Sequence, residues 1–248
     1  MFVIPDIRAA FPVADVVQAF RDSNFLSGQL IVVVLIVASI LAWTVMVSKY
    51  RELQNAQRSS DRFIAAFRRE AHPLAMFLRS QKFSESPLYR VYEAGCTALG
   101  AEVGETGRAP ELLLDEDRIR RIELSSLQVE VIRRVTERTV ADQALVLESR
   151  MGHLMTAVSA SPMLGLLGTV WGVLDAFGAM AVKGMANLSA VAPGISGALL
   201  TTVVGLLVAL PSSIGYNMLA GRIRTLAVQM DNFSQEFVAE IQRAFSRG

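Results

Sequence analysis

The chain has 248 residues, 52% hydrophobic and 19% charged, with a formal net charge of +1. This composition lies between a soluble and a purely membrane-embedded protein. The single cysteine, Cys96, excludes an intrachain disulfide and by itself suggests neither a metal site nor a redox pair.

The near-zero net charge conceals segregation. No Asp, Glu, Lys or Arg lies between Asp22 and Lys49, between Arg150 and Asp175, or between Lys183 and Arg222. Residues 1–24 read as a short amphipathic segment in which Phe11, Val16, Val17 and Phe20 share one helical face, as in a helix lying at a membrane surface. The window 25–47 is then apolar for more than the ~20 residues a membrane span needs. Its flanks differ from those of a signal peptide. Asp6, Asp15 and Asp22 accompany Arg8 and Arg21 before it, and Ser48-Lys49-Tyr50-Arg51 follows it in place of a small-residue cleavage site.

Residues 48–150 form the sizeable polar part and read as helical. Phe63, Ile64 and Phe67 recur at helix spacing, Ala71-His72-Pro73 breaks that run, and Ser84-Glu85-Ser86-Pro87 starts another helix. The glycines Gly100, Gly104 and Gly107 predict a loop. A long helix is then expected from about 111–116, with Leu124, Leu127, Val131 and Val135 on its buried face, running without Gly or Pro straight into a second span at 151–180. Arg118, Arg120, Arg121, Arg133, Arg134 and Arg138 alternate with acids, the pattern of a solvated or intersubunit face and not of nucleic-acid binding. A connection at 181–190 leads to a third span at 191–218. In the C-terminal helix 219–248, Ile223, Leu226, Met230 and Phe233 keep a buried spacing. Lys49, Arg51, Arg58 and Arg62 follow span one and Arg222 and Arg224 follow span three, whereas the connection has only Lys183. Basic residues favour the cytoplasmic side, so the N-terminus and the 181–190 connection are expected outside, and 48–150 and the C-terminus inside. The fold expected is all-α: three transmembrane helices with long helical cytoplasmic extensions.

The inner two spans are rich in small residues. Gly165, Gly168, Gly172, Ala176 and Ala179 form a stripe in span two, and Gly194, Ala198, Thr201, Gly205, Ala209 and Ser212 form one in span three. In lipid, helices associate through close packing and interhelical hydrogen bonds, and both favour such residues. Thr169, Thr201 and Thr202 lie deep in the spans. Each either bonds back to its own helix or faces a polar path. Proton movement needs a titratable group inside the membrane, and these spans supply none at depth, Asp175 standing near the end of span two. If protons cross here, a second protein brings the carrier. Pro211 predicts a kink in span three. The chain has no P-loop, GxGxxG, zinc-ligand spacing or serine elbow, and neither His72 nor His153 has a partner suggesting catalysis. Neither a cofactor nor an enzymatic activity is therefore expected.

The runs SASPMLGLLGTVWGVLDAF at 159–177 and VAPGISGALLTTVVGLLVALPSSIGYN at 191–217 resemble the TolQ/ExbB/MotA proton-channel family, most closely its TolQ/ExbB branch. The ending DNFSQEFVAEIQRAF at 231–245 is slightly more similar to TolQ. The resemblance is strong over 150–245 and weaker over 1–150. It implies a pentameric ring of three-span subunits in a bacterial inner membrane. Spans two and three would line a pore that holds a dimeric single-span partner of the TolR/ExbD kind, whose membrane aspartate carries protons, and the proton motive force would drive mechanical work on an outer-membrane process. By matching positions, Thr169 and Thr202 would be polar ring residues and Pro211 the shared proline. A non-conducting scaffold and a flagellar-stator-like subunit are the alternatives, the latter disfavoured by the three-span count. The threonine hydroxyls suit protons or sodium.

One position departs from the family motif GIAEAL. Here it reads GISGAL, with Gly197 at the glutamate position, while Asp175 stands where relatives often carry Asn or His. Two readings stand: the acid has moved from the head of span three to the end of span two, or Asp175 is an ordinary boundary acid. On the first reading Asp175→Asn should abolish proton-driven function, and wild-type activity in that variant would leave only the second.

Overall fold

A computed structural model describes residues 26–70, 72–79, 82–103, 123–183 and 188–245. All regular structure among these is helical: α1 (Leu26–Phe67), α2 (Ala75–Leu78), α3 (Pro87–Val103), α4 (Ser126–Glu148), α5 (Met151–Lys183) and α6 (Leu188–Phe245). Three of them, α1, α5 and α6, are long and apolar enough to cross a membrane. A helix satisfies its backbone groups internally, which is what hydrocarbon demands of a spanning segment. The anticipated segment 1–24, Gly104, Gly107, the helix start at 111–116, Arg118, Arg120, Arg121 and the centre of the 181–190 connection lie outside the described residues.

The chain divides into two compact units. In the membrane unit, formed by residues up to 47 together with 150–217, Ile31 and Leu35 of α1 pack with Val208 of α6, flanked by Leu164 and Val204. The outward faces stay apolar: Leu30, Ile40, Met163, Leu174, Leu207 and Ile214 are each at least 60% exposed, the surface a bilayer would cover.

The second unit comprises 48–149 and 218 onward. Its core is aromatic. The Phe63 ring is fully buried and lies 5.2–5.7 Å from Phe233, Tyr92 and Tyr89, separations at which edge-to-face pairs add stabilisation beyond area burial. Tyr92 donates its hydroxyl to the Pro73 carbonyl (2.9 Å) and accepts from the Phe77 amide (3.0 Å), tying the short α2 segment to α3. At Gly95 a Cβ would come within 2.8 Å of Thr136 Cγ2 and 2.5 Å of Phe237, so only glycine lets α3 approach α4 and α6 this closely. The four residues read from the C-terminal periodicity, Ile223, Leu226, Met230 and Phe233, are all buried. Arg68 makes a two-pronged pair with Glu236 (2.9 and 3.0 Å), which raises the guanidinium pKa through that hydrogen bond and charge. Being largely exposed, the pair contributes at most about 1 kcal/mol.

Four local expectations are corrected. Gly100 is buried inside α3 and is not part of a loop. Residues 123–125 are not helical, and α4 starts at Ser126 on a reciprocal cap: Ser125 Oγ accepts from the Gln128 amide, and Gln128 Oε1 accepts from the Ser125 amide (3.0 Å). Its buried stripe is Val129, Ile132 and Thr136, while Leu127 is 73% exposed. The polar member hides this stripe in sequence. Thr136 is buried because its hydroxyl donates to the Arg133 carbonyl and accepts from Ser234 (2.9 Å). Nor does α4 continue into α5, since the helix stops at Ser149 and Arg150 adopts a positive φ of 68°. A left-handed residue other than glycine costs about 1 kcal/mol, which explains why composition does not signal the break. Lys49, only 1% exposed and paired with Glu52 (2.8 Å), also reaches Ser149 Oγ (3.5 Å).

Burial pushes the Cys96 thiol pKa far above its ordinary value, so the nucleophilic thiolate is absent near neutral pH. The native protein should resist iodoacetamide, and labelling should require unfolding of this unit. Phe63→Ala, a truncation costing about 3–5 kcal/mol, should raise the labelling rate under native conditions, as read by mass spectrometry.

Candidate functional site

The small-residue stripes meet. Within the membrane unit α5 and α6 run antiparallel, with Ala176 against Gly194, Gly168 against Thr201 and Gly165 against Thr202 and Gly205. Gly165, Gly168 and Gly172 are buried on α5, as are Gly197, Ala198, Thr201, Gly205, Ala209 and Ser212 on α6. Gly194 and Ala176 are half-buried. The stripe ends there, because Ala179 is exposed. A Cβ on Gly205 would lie 2.6 Å from the Ser161 carbonyl oxygen and 3.1 Å from Gly165 Cα. One on Gly165 would lie 2.9 Å from the Thr201 carbonyl oxygen. The obstacles are backbone atoms, which cannot rotate away. Glycine is therefore required for the two helices to touch.

That contact places three hydroxyls around one carbonyl. The Gly165 oxygen stands 2.9 Å from Thr201 Oγ1, 3.2 Å from Thr202 Oγ1 and 3.3 Å from Thr169 Oγ1. Thr201 also reaches the Ala198 carbonyl (2.7 Å) and has no exposed surface. Although grouped by sequence with a polar path, it ties α5 to α6 in this protomer and lines nothing open. Thr169 and Thr202 are half-buried and hydrogen-bonded to each other. Thr169 Oγ1 lies 3.0 Å from the Ala198 carbonyl. Each hydroxyl has one proton, so the pair has two arrangements. Either Thr169 donates to Ala198 and accepts from Thr202, or Thr202 donates to Gly165 and accepts from Thr169. Back-bonding and interhelical bonding, alternatives in the sequence, coexist here.

Pro211 stands half-buried inside α6, where it removes the amide that would bond the Leu207 carbonyl. Next to it, Ser212 donates to the Val208 carbonyl (2.7 Å). Pro162 inside α5 and Pro193 inside α6 are further such interruptions. Asp175 is exposed, one residue before the Ala176 contact with Gly194. The role of the Gly165 and Ala198 carbonyls was not legible from side-chain identity. The available signal was the glycine itself, which bares its carbonyl to a neighbouring helix.

A model of the MotA/TolQ/ExbB proton channel family matches residues 113–232. The Tol-Pal system protein TolQ of Haemophilus influenzae is 30% identical over 219 residues, covering 87% of this chain and 89% of that protein. The chain belongs to the MotA/TolQ/ExbB proton channel family. TolQ of Pseudomonas aeruginosa is 27% identical over 87% of each chain, and the biopolymer transport protein ExbB of Pseudomonas putida is 30% identical over 87% of this chain and 60% of its own. The family match spans the whole α5–α6 seam of the membrane unit, so the hydroxyl cluster lies inside the part shared with this proton channel family.

Overpacking the seam should separate α5 from α6. Gly205→Val is expected to cost about 1–3 kcal/mol, seen as a lower thermal aggregation midpoint in detergent. Gly178→Ala, where an added Cβ meets nothing within 4 Å, should leave the midpoint unchanged or raised.

Proposed function

We propose that this chain is the ring-forming subunit of an inner-membrane proton channel that couples the proton motive force to mechanical work on a TolR/ExbD-like single-span partner, energising an outer-membrane process. The carrying observation is the Thr169–Thr202 pair. It is a polar contact, half-exposed, in a seam with no Asp, Glu, Lys, Arg or His between His153 and Asp175 on α5 or between 191 and 221 on α6. Hydroxyls can relay a proton but neither lose their own nor store an extra one near neutral pH, so an ionisable group is needed at that depth. The partner's membrane aspartate supplies it. In the ring, expected to be a pentamer, α5 and α6 turn the threonine pair towards the partner helices. The two arrangements of the pair let it accept a proton from one side and present one to the other.

In this reading the N-terminus is periplasmic and the second unit cytoplasmic, following the basic residues after spans one and three. Asp175 then stands at the periplasmic end of α5, beside the head of α6, and supplies the acid missing at Gly197. Gly197 also motivates the second reading, a non-conducting scaffold. Gly197 is buried on α6 and offers the seam no carboxylate. Co-purification of a partner lacking any membrane acid would favour the scaffold.

The test is proton flux into vesicles containing the chain and its partner. Thr169→Val and Thr202→Val should assemble normally and lose tenfold or more of the flux, because a hydrogen bond to a charged group contributes about 1.5–3 kcal/mol and about 1.4 kcal/mol is a factor of ten in rate. Thr169→Ser should keep most of it. Full flux in both valine variants would overturn the proposal.

A further inference from the structure

Away from the α5–α6 seam, the membrane unit holds a cavity of about 470 Å³ between α1 and α5. Four alanines line it, Ala38 and Ala42 on α1 and Ala157 and Ala160 on α5. The small side chains on both walls leave the space between the helices unfilled at this level. The Thr156 hydroxyl is turned back onto the Gly152 carbonyl (2.9 Å) and so offers the cavity no free donor. Leu41, His153 and Thr156 line the cavity and are at the same time exposed, so it is a groove open to the surroundings of the helices. Around a spanning helix those surroundings are lipid. The lining on α5 runs from His153 to Leu164. At 1.5 Å per residue this is about 16 Å, one half of the ~30 Å hydrocarbon thickness and hence the depth of a single leaflet.

The two ends differ in chemistry. One end has Leu164. The other has His153, and Arg150 lies one turn before it, its carbonyl accepting from the His153 amide (3.2 Å). No acid is among the lining residues. An apolar slot one leaflet deep, with the Arg150 guanidinium and the His153 imidazole near its polar end, matches an anionic amphiphile.

We propose that this groove holds one acyl chain of an anionic phospholipid from the leaflet on the Arg150 side, with the lipid phosphate at His153 and Arg150. The lipid fills the space that the alanines leave open and braces α1 against α5. The arrangement is independent of the threonine pair and of any proton-conducting role.

The probe is phosphatidylglycerol carrying a diazirine on one acyl chain, at one part in a hundred in vesicles of phosphatidylethanolamine and phosphatidylglycerol containing the full chain. After photolysis, adducts mapped by peptide mass spectrometry should concentrate on the α1 and α5 residues of the groove. Ala160→Trp should lower these adducts at least fivefold, and Ala38→Leu, a milder filling of the opposite wall, at least twofold. Ala179→Trp should leave them unchanged. Arg150→Gln should reduce the preference for the phosphatidylglycerol probe over the matching phosphatidylcholine probe by twofold or more. Adducts spread evenly over the outward apolar faces, or insensitive to both filling variants, would overturn the proposal. So would a disulfide between two copies formed through Ala160→Cys, since the groove would then belong to a neighbouring subunit.

Discussion

The membrane unit depends on the backbone approach of α5 to α6. Between lipid-facing helices, burial of one apolar surface against another gains little, because lipid is as apolar as the partner helix. What remains is dispersion at short range and hydrogen bonding in a medium without water. Glycine at 165, 168 and 205 provides the first by bringing backbone against backbone. It also exposes the Gly165 carbonyl, on which the hydroxyls of Thr169, Thr201 and Thr202 converge. One residue thus sets both the spacing of the helices and the polarity of the seam.

The same geometry separates roles among three chemically identical side chains. Thr201 sits where the seam is tightest and its hydroxyl is satisfied by two carbonyls, which makes it a tie. Thr169 and Thr202 sit at the edge, where exposure remains and the bond between them can run in either sense. A group at the edge can exchange partners with an incoming helix, whereas a group at the centre cannot without opening the seam. The edge pair is therefore the one able to act on an incoming helix.

The second unit is built by different physics. Its core is a cluster of phenylalanine and tyrosine rings around Phe63, closed by polar groups that bond one another, as in Thr136 with Ser234 and Tyr92 with Pro73 and Phe77. Here water supplies the driving force, and large side chains dominate where small ones dominate in the membrane unit. One chain therefore carries two packing codes, and the composition shift at each end of the charge-free windows marks the change from one to the other.

Much of this was determined by sequence alone. Charge-free windows longer than a bilayer is thick must be helical, and stripes of glycine and alanine on two of them must be contact faces, because hydrocarbon allows few other solutions. The buried spacing from Ile223 to Phe233 was legible for the same reason that any amphipathic period is. Only the tertiary structure decided which of two stripes on α4 is buried, because Thr136 counts as polar until Ser234 is placed against it. Only it located the stop at Ser149 and Arg150, where no Gly or Pro stands and the left-handed backbone leaves no mark on composition. It also distinguished Thr201 from Thr169 and Thr202. Sequence specifies that a hydroxyl is present, but which carbonyl it meets depends on the rotation of one helix against another, a quantity fixed by contacts far apart along the chain.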